Sequence, residues 1–507
     1  MGGAEVQDGE PVDLLIIGGG INGVGIARDA AGRGLSVVLC EQGDLGGATS
    51  SASTKLIHGG LRYLEYYRFG LVREALAERE VLLRLAPHIV SPMRFVLPHE
   101  DGQRPAWLIR IGLFLYDHLS HRTTLPKCEG LDLARHPAGE PLKGNFRKGF
   151  AYSDCWVDDA RLVVLNAQSA VERGAEILVR TRCASADAVD GQWQARLIPI
   201  AGPERMVRAR AIVNAAGPWA GRVATEILGL PTAVPLRLVK GSHIVVPRLF
   251  GHDMAYIFQQ PDRRILFAIP YQGRFTLIGT TEVDFDGDPA EVRIDDGEIA
   301  YLGEAAGRYF RAPVDPTDVV WSYSGVRPLY GAESGAASAV TREYRLEVGR
   351  GTGGAPALSV FGGKITTYRR LAERALDRLQ PFVDLMAPPW TSNDPLPGGD
   401  LGVDGLDGLL GRLADSIPWL PAPLRRRYAG AYGSRVFKIL DGAGRPEDLG
   451  EDFGGGLYEA EVRHLVDREW ARTPDDVLWR RTKLGLHVAD ATRARLAEWM
   501  AGKGCDR

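Results

Sequence analysis

The chain has 507 residues, 45% hydrophobic and 25% charged, the composition of a soluble globular protein too long for one ordinary core, so two or three domains are expected. A net charge of −3 provides no basic field for nucleic acid. Five scattered cysteines (Cys40, Cys128, Cys155, Cys183, Cys505) without a C-x-x-C pair argue against a disulfide framework or a zinc site; no metal is expected, and a reducing cytoplasm fits.

Met1 to Glu10 lacks a basic-then-apolar signal, so export is not expected. Val12 to Ile17 reads as a buried strand running into Gly18-Gly19-Gly20-Ile21-Asn22-Gly23, a dinucleotide fingerprint. Gly18 makes the tight turn, Gly20 lets backbone amides reach a pyrophosphate, and Gly23 permits close helix packing. The helix Ile21 to Ala31 aims its positive end at that pyrophosphate, and Gly32 and Gly34 end it. Ser36 to Cys40 returns as a parallel strand with Glu41 at its tip, placed for a ribose hydroxyl.

Directly after comes Ala48-Thr49-Ser50-Ser51-Ala52-Ser53, then Lys55 and His58-Gly59-Gly60. Small hydroxyls beside a first fingerprint supply donors for a longer molecule than NAD, which favours an extended FAD. Arg73 to Ala86 reads as an amphipathic helix stopped by Pro87. Trp107 to Leu119 has an apolar stripe, read as core before membrane interface; Arg110 and Asp117 break it, so it does not span a membrane.

Asp158 and Asp159 are N-cap candidates for a helix to Arg173, with Gly174 as its stop and Glu176 to Thr181 as a strand. Two strands flank Asp190-Gly191, and Val207 to Asn214 runs into the turn Ala215-Ala216-Gly217-Pro218-Trp219, expected to approach the cofactor. Leu236 to Leu329 is β-rich and antiparallel in pattern, a wall for a substrate site. Leu358 to Phe361 meets Gly362-Gly363-Lys364, then a helix Thr366 to Leu379 opens, presenting a further positive helix end. Residues 387–405, rich in Pro, Gly and Asp, read as a linker before a small all-α unit, in which Arg425-Arg426-Arg427 reads as a solvated face and Thr473-Pro474-Asp475-Asp476 as a helix start. The expected architecture is α/β: a Rossmann-like FAD domain (about 11–90, 150–235 and 340–386), an inserted antiparallel β substrate domain (about 91–149 and 236–339), and a helical unit over 406–507.

The segments GGGINGVGIARDAAGRGLSVVLCE, TSSASTKLIHGGLRYLE, RIGLFLYDHL, YSDCWVDDARLV, NAAGPW, KGSHIVVPR, YSGVRPL, SVFGGKITTYRRLAERAL, LGEDFG and LWRRTKLG resemble the FAD-dependent glycerol-3-phosphate dehydrogenase family across nearly the whole chain. That resemblance implies a D-amino-acid-oxidase-like FAD fold and oxidation of sn-glycerol 3-phosphate to dihydroxyacetone phosphate, hydride passing from C2 to flavin N5. It also implies ubiquinone or menaquinone as acceptor and peripheral attachment to the inner face of the cell membrane; a homodimer is expected.

Such chemistry needs cations for the substrate phosphate and a base for its C2 hydroxyl. Arg62, Arg327 and Arg342 are the phosphate candidates, His243 is the base candidate, and Lys364 is placed to stabilise developing negative charge. Tyr63 is a donor to substrate or a packing ring. The cofactor set is Gly18, Gly20, Ile21, Asn22, Gly23, Glu41, Thr49, Ser50, Ser51, Lys55, His58, Gly59, Gly60, Gly217, Trp219, Gly362, Gly363, Lys364, Ile365 and Thr366. Three other readings stand at this point: an oxidase reducing O₂ to peroxide, an FAD-bearing interaction protein without turnover, and an NAD-dependent dehydrogenase.

Overall fold

A computed structural model describes residues 10–100, 104–120, 124–231, 236–262, 264–330 and 343–503. Val12–Ile17 lies at the centre of the first sheet, parallel to Val37–Cys40 on one side and Arg205–Asn214 on the other. Glu176–Leu178 and Pro356–Phe361 extend it in parallel at either side. The central strands are almost wholly buried, the state a continuous apolar run adopts when both sheet faces are covered. Helices Ile21–Gly32, Asp159–Val171 and Tyr368–Leu379 pack into one core with these strands. On the other face Trp193, Ala195 and Leu197 of a hairpin meet Val12, Leu15 and Ile212. The hairpin's turn, Asp190-Gly191, has φ of 50° and 76°, the two left-handed residues that match the twist of its strands. The strand expected over Glu176 to Thr181 is broken: it stops at Leu178, Arg180 takes φ 51°, and a new strand Thr181–Val189 leaves in another direction.

The second sheet is built on Leu236–Pro247, which pairs antiparallel with Phe275–Gly279 and Trp321–Tyr330. It continues through Ile265–Tyr271 and Ala255–Gln259, then takes Val90–His99 in parallel, Lys148–Val157 and finally Leu56–Ile57. The sheet is therefore mixed, and it draws Leu56–Ile57 and most of Lys148–Val157 from stretches assigned by sequence to the first domain. A helix unforeseen in the β-rich stretch, Asp296–Gly307, covers it; Asp295 and Glu298 form its capping box, a D-x-x-E signal legible in the sequence.

The helix expected over Trp107 to Leu119 is Ala106–His118, but the core reading of its stripe fails. Only Leu113 and Tyr116 are buried, while Trp107 is 64% and Phe114 60% exposed. Apolar residues encircle this helix more widely than one sheet contact can cover.

Residues 387–405 are packed rather than a loose linker. Trp390 donates to the Asp29 carbonyl at 3.2 Å and lies beneath the guanidinium groups of Arg28 and Arg173; Leu396 N donates to the Leu85 carbonyl at 2.9 Å. Beyond them the C-terminal unit has its own core, and it is helical except for a short hairpin, Asp452–Gly454 with Leu457–Tyr458. The solvated-face reading of 425–427 holds for Arg426 alone, since Arg427 makes two 2.6 Å bonds to the buried Glu461 carboxylate. Thr473 N donates to Asp476 and Asp476 N to the Thr473 hydroxyl, capping the wide helical turn Asp476–Arg481.

Candidate functional site

Two sterically obligatory glycines shape the first turn. Gly18 has φ 112°, and a Cβ there would lie 2.5 Å from the Ala215 carbonyl oxygen; one on Gly23 would lie 1.9 Å from the Gly18 carbonyl. Backbone cannot yield to either. Gly20 caps the helix, and Ile21 N donates to the Ser50 hydroxyl at 3.0 Å, so the hydroxyl run closes directly over the helix end. Glu41 accepts from Gly19 N at 2.6 Å and Gly43 N at 2.7 Å; burial raises its pKa and those two amides oppose the rise.

The last glycine turn meets the first. Asn22 Nδ2 donates to the Gly362 carbonyl at 3.2 Å, with Gly362 and Gly363 at φ 76° and 106°. His58 N donates to the Thr366 hydroxyl at 3.4 Å, where Lys364 caps the turn Ile365–Thr367. Gly60 is left-handed at φ 76°, and Gly59 N is held by Tyr116 Oη at 2.9 Å and by Asp154. Gly217 turns at φ 56°, and Trp219 Nε1 reaches Asp288 at 3.3 Å.

These residues fit FAD. The Asn22 Oδ1 atom is buried without a partner among the described residues, at the meeting of two glycine turns and a helix N-terminus, where a polar ligand atom would satisfy it. The first turn would hold the pyrophosphate, Glu41 a ribose, and the turns at 48–51, 58–60 and 362–366 the remainder. Three hydroxyl-run residues are already engaged: Thr49 Oγ1 donates to the Val326 carbonyl at 2.7 Å, Ser51 Oγ to the Ala48 carbonyl at 3.4 Å, and Ser50 accepts from Ile21. Lys55, expected at the cofactor, is turned inward. Its ammonium lies 2.9 and 3.0 Å from the Asp159 carboxylate and 3.0 Å from the Ser51 carbonyl, tying the run to a helix N-terminus.

The reacting side forms where two strands run in register. Val239, Gly241 and His243 stand opposite Arg327, Gly325 and Tyr323, and alternation puts all six on one face. A Cβ on Gly325 would lie 2.8 Å from that of Ala52, so this face looks onto the hydroxyl run. His243 is fully buried, with Nε2 2.9 Å from the Thr54 hydroxyl, Nδ1 without a partner among the described residues, and its ring stacked on Tyr323 at 4.8 Å. Burial, with the nearby charges of Arg327 and Lys55, drives its pKa well below the ordinary histidine value, so it is a neutral ring at pH 7. Arg327 Nη2 donates to the Thr280 hydroxyl at 3.1 Å, and its Nη1 is 3.7 Å from Glu282. Lys364 Nζ sits 3.9 Å above the Tyr63 ring, bringing two more candidates together. Arg62, partly buried, makes no hydrogen bond or ion pair among the described residues. Arg342 lies outside the described residues.

Sequence reasoning missed Thr54, Tyr323, Thr280 and Asp159. Tyr323 was within reach, since period-two alternation from Arg327 places it on the same face. Thr54 and Thr280 depend on inter-strand and inter-layer register, which a single chain does not display.

The "FAD dependent oxidoreductase" family matches residues 13–369, and the "C-terminal domain of alpha-glycerophosphate oxidase" family matches 389–502. The chain is 54% identical to a glycerol-3-phosphate dehydrogenase of Pseudomonas aeruginosa over 97% of this chain and 95% of that one. It is 52% identical to a D-erythritol 1-phosphate dehydrogenase of Brucella abortus over 97% and 98%. The structure of a glycerol-3-phosphate dehydrogenase from Bacillus halodurans complexed with FAD superposes with a TM-score of 0.78 at 28% identity, covering 98% of this chain and 92% of that one. With a fingerprint, a hydroxyl run and two later glycine turns arranged for FAD, the chain belongs to the FAD-dependent glycerol-3-phosphate dehydrogenase family.

Proposed function

We propose that this enzyme oxidises sn-glycerol 3-phosphate to dihydroxyacetone phosphate with FAD and passes the electrons to quinone, as a homodimer on the inner face of the cell membrane. The observation that carries the chemistry is a neutral, buried His243 sharing one strand face with Arg327. Bound FAD supplies the two-electron acceptor for the hydride that leaves substrate C2. Neutral His243 takes the C2 hydroxyl proton; Thr54 and Tyr323 hold its ring. Arg327 and Arg62 bind the phosphate, the fixed charge and fork of a guanidinium matching its oxygens, and Arg342 is assigned there with them. Lys364 and Tyr63 face the carbonyl oxygen formed at C2.

Support for the membrane comes from the helix Ala106–His118, which leaves Trp107, Leu108, Ile111, Phe114 and Leu115 exposed, with Arg104 before it and Arg110 within it exposed as well. Tryptophan and aliphatic side chains beside arginine are the composition of a helix lying in a lipid interface. No helix among the described residues is long and apolar enough to cross a membrane.

A second substrate reading has a specific basis: the Brucella abortus relative is a D-erythritol 1-phosphate dehydrogenase at nearly the same identity. Both substrates are polyol phosphates with a secondary hydroxyl. Comparing kcat/KM for the two with a soluble dye as acceptor decides between them; the proposal expects glycerol 3-phosphate to be preferred, and preference for erythritol phosphate overturns it. Stoichiometric peroxide during turnover identifies an oxidase instead.

A further inference from the structure

The C-terminal unit sends one short segment, residues 479–483, against the cofactor domain. Arg481, fully buried, grips Asp44 with both terminal nitrogens, at 2.8 and 2.7 Å, and Arg480 Nε adds a third bond to the same carboxylate at 2.5 Å. Asp44 belongs to the loop that begins at Glu41. That loop is tied back to the fingerprint twice, by Gly19 N to the Glu41 carboxylate and by Gly46 N to the Gly19 carbonyl at 3.0 Å. Opposite, Arg180 donates its backbone N to the Gly43 carbonyl and its guanidinium to Asp476, closing a ring of charge around the loop.

The same segment reaches two further parts of the cradle. Lys483 Nζ pairs with Asp158 at 3.0 Å, and the adjacent Asp159 binds Lys55 and the Ser53 hydroxyl, so the hydroxyl run is anchored through the start of one helix. Trp479 stacks on Trp321 at 4.5 Å and 15°, and Trp321 leads through Tyr323 to the His243 ring. Four of five consecutive residues of one unit thus reach the loop at Glu41, the helix start that anchors the hydroxyl run, and the strand Trp321–Tyr330 that pairs with the one carrying His243. A join serving only to attach two domains has no reason to converge on three separate parts of a ligand site.

We propose that Trp479, Arg480, Arg481 and Lys483 are positioning residues through which the C-terminal unit holds the FAD cradle closed. None of them touches the cofactor positions; they act through Asp44, Asp158 and Trp321. FAD retention therefore depends on a segment distant in sequence from every cofactor motif.

The test is the rate of FAD release from purified holoenzyme after dilution, read as the rise of free-flavin fluorescence, with circular dichroism reporting fold in the same samples. Arg480→Gln and Lys483→Met, on independent contacts, are each expected to speed release about tenfold or more, the loss of one charge-assisted contact, and Arg480→Lys is expected to recover most of that. Arg493→Gln, in an exposed pair with Asp475 of the same unit, is expected to change release by less than about twofold. Release rates near wild type in both Arg480→Gln and Lys483→Met, or an equal acceleration by Arg493→Gln, overturn the proposal. If Arg480→Gln fails to fold, Lys483→Met and Trp479→Leu carry the same comparison.

Discussion

His243 and Thr54 meet across 189 positions of chain, ring Nε2 to hydroxyl oxygen at 2.9 Å, while the Nδ1 of the same buried ring has no partner among the described residues. A ring fixed on one nitrogen and left with an unsatisfied second one is oriented without being neutralised as a proton acceptor. His243→Asn is expected to lower kcat by about 10²- to 10⁴-fold with KM little changed. Because burial, Arg327 and Lys55 hold the folded pKa below 6.5, the base form persists as pH falls through the usual histidine range. The acid limb of the pH–rate profile is therefore expected below pH 6.5, and a limb at or above it removes His243 from the role.

Arg327 carries a second, linked expectation. Loss of the charge-assisted bonds to phosphate proposed for it, about 1.5–3 kcal/mol, is expected to raise KM for glycerol 3-phosphate about 10- to 100-fold in Arg327→Ala. The same substitution deletes a cation that lowers the His243 pKa, so the acid limb moves toward higher pH. Steady-state kinetics across pH read both effects from one variant.

Gly23→Ala places a methyl 1.9 Å from the Gly18 carbonyl oxygen, within the turn assigned to the pyrophosphate. The strain, about 1–3 kcal/mol, has to be relieved by moving that turn. Purified variant is expected to lose most of its flavin, measured as the ratio of visible to ultraviolet absorbance, while far-ultraviolet circular dichroism stays near wild type.

His88 gives an acid-stability prediction independent of activity. Burial, with Arg161 nearby, lowers its pKa to about 3, and both ring nitrogens lack partners among the described residues. Its folded pKa lies below the unfolded value of about 6.5, so the unfolded state takes up the proton first. This contribution is intact above pH 6.5 and is lost as pH falls from there toward 3, by up to about 1.4 kcal/mol per pH unit. Urea unfolding at pH 7, 5 and 4 is expected to show a smaller loss in His88→Leu than in wild type; equal losses exclude His88 as a source.

The helix Ala106–His118 separates attachment from chemistry. Ile111→Ser with Phe114→Ser removes two exposed apolar side chains that make no part of the cofactor turns. The partition constant onto anionic vesicles, read by sedimentation, is expected to fall by up to about 100-fold, from about 1.5 kcal/mol per side chain at full burial, while turnover with a soluble dye stays unchanged. Unaltered sedimentation assigns attachment to another surface.

Legibility in the sequence followed the range of the interactions. The turn at Gly18 to Gly23 is set by neighbours within a few residues and by one buried strand, so residue types alone revealed it. Arg327 and His243 were found one at a time by chemistry, but their common face depends on the pairing of Val239 with Arg327, a register that alternation does not specify between strands. Lys55 was misplaced because its partner, Asp159, lies in the other half of the domain. The same cause hid Arg427, whose partner Glu461 turns a charge run into a buried pair. The 106–118 stripe was misread because apolar periodicity reports a stripe without saying whether protein or lipid covers it.

This cradle and this sheet face are proposed to act together in oxidising a three-carbon polyol phosphate. The most direct measurement is anaerobic addition of one equivalent of sn-glycerol 3-phosphate to purified holoenzyme, following the visible flavin absorbance and assaying the product. Bleaching is expected, with dihydroxyacetone phosphate formed in step with it. Flavin that dithionite bleaches but glycerol 3-phosphate leaves yellow would contradict the proposal.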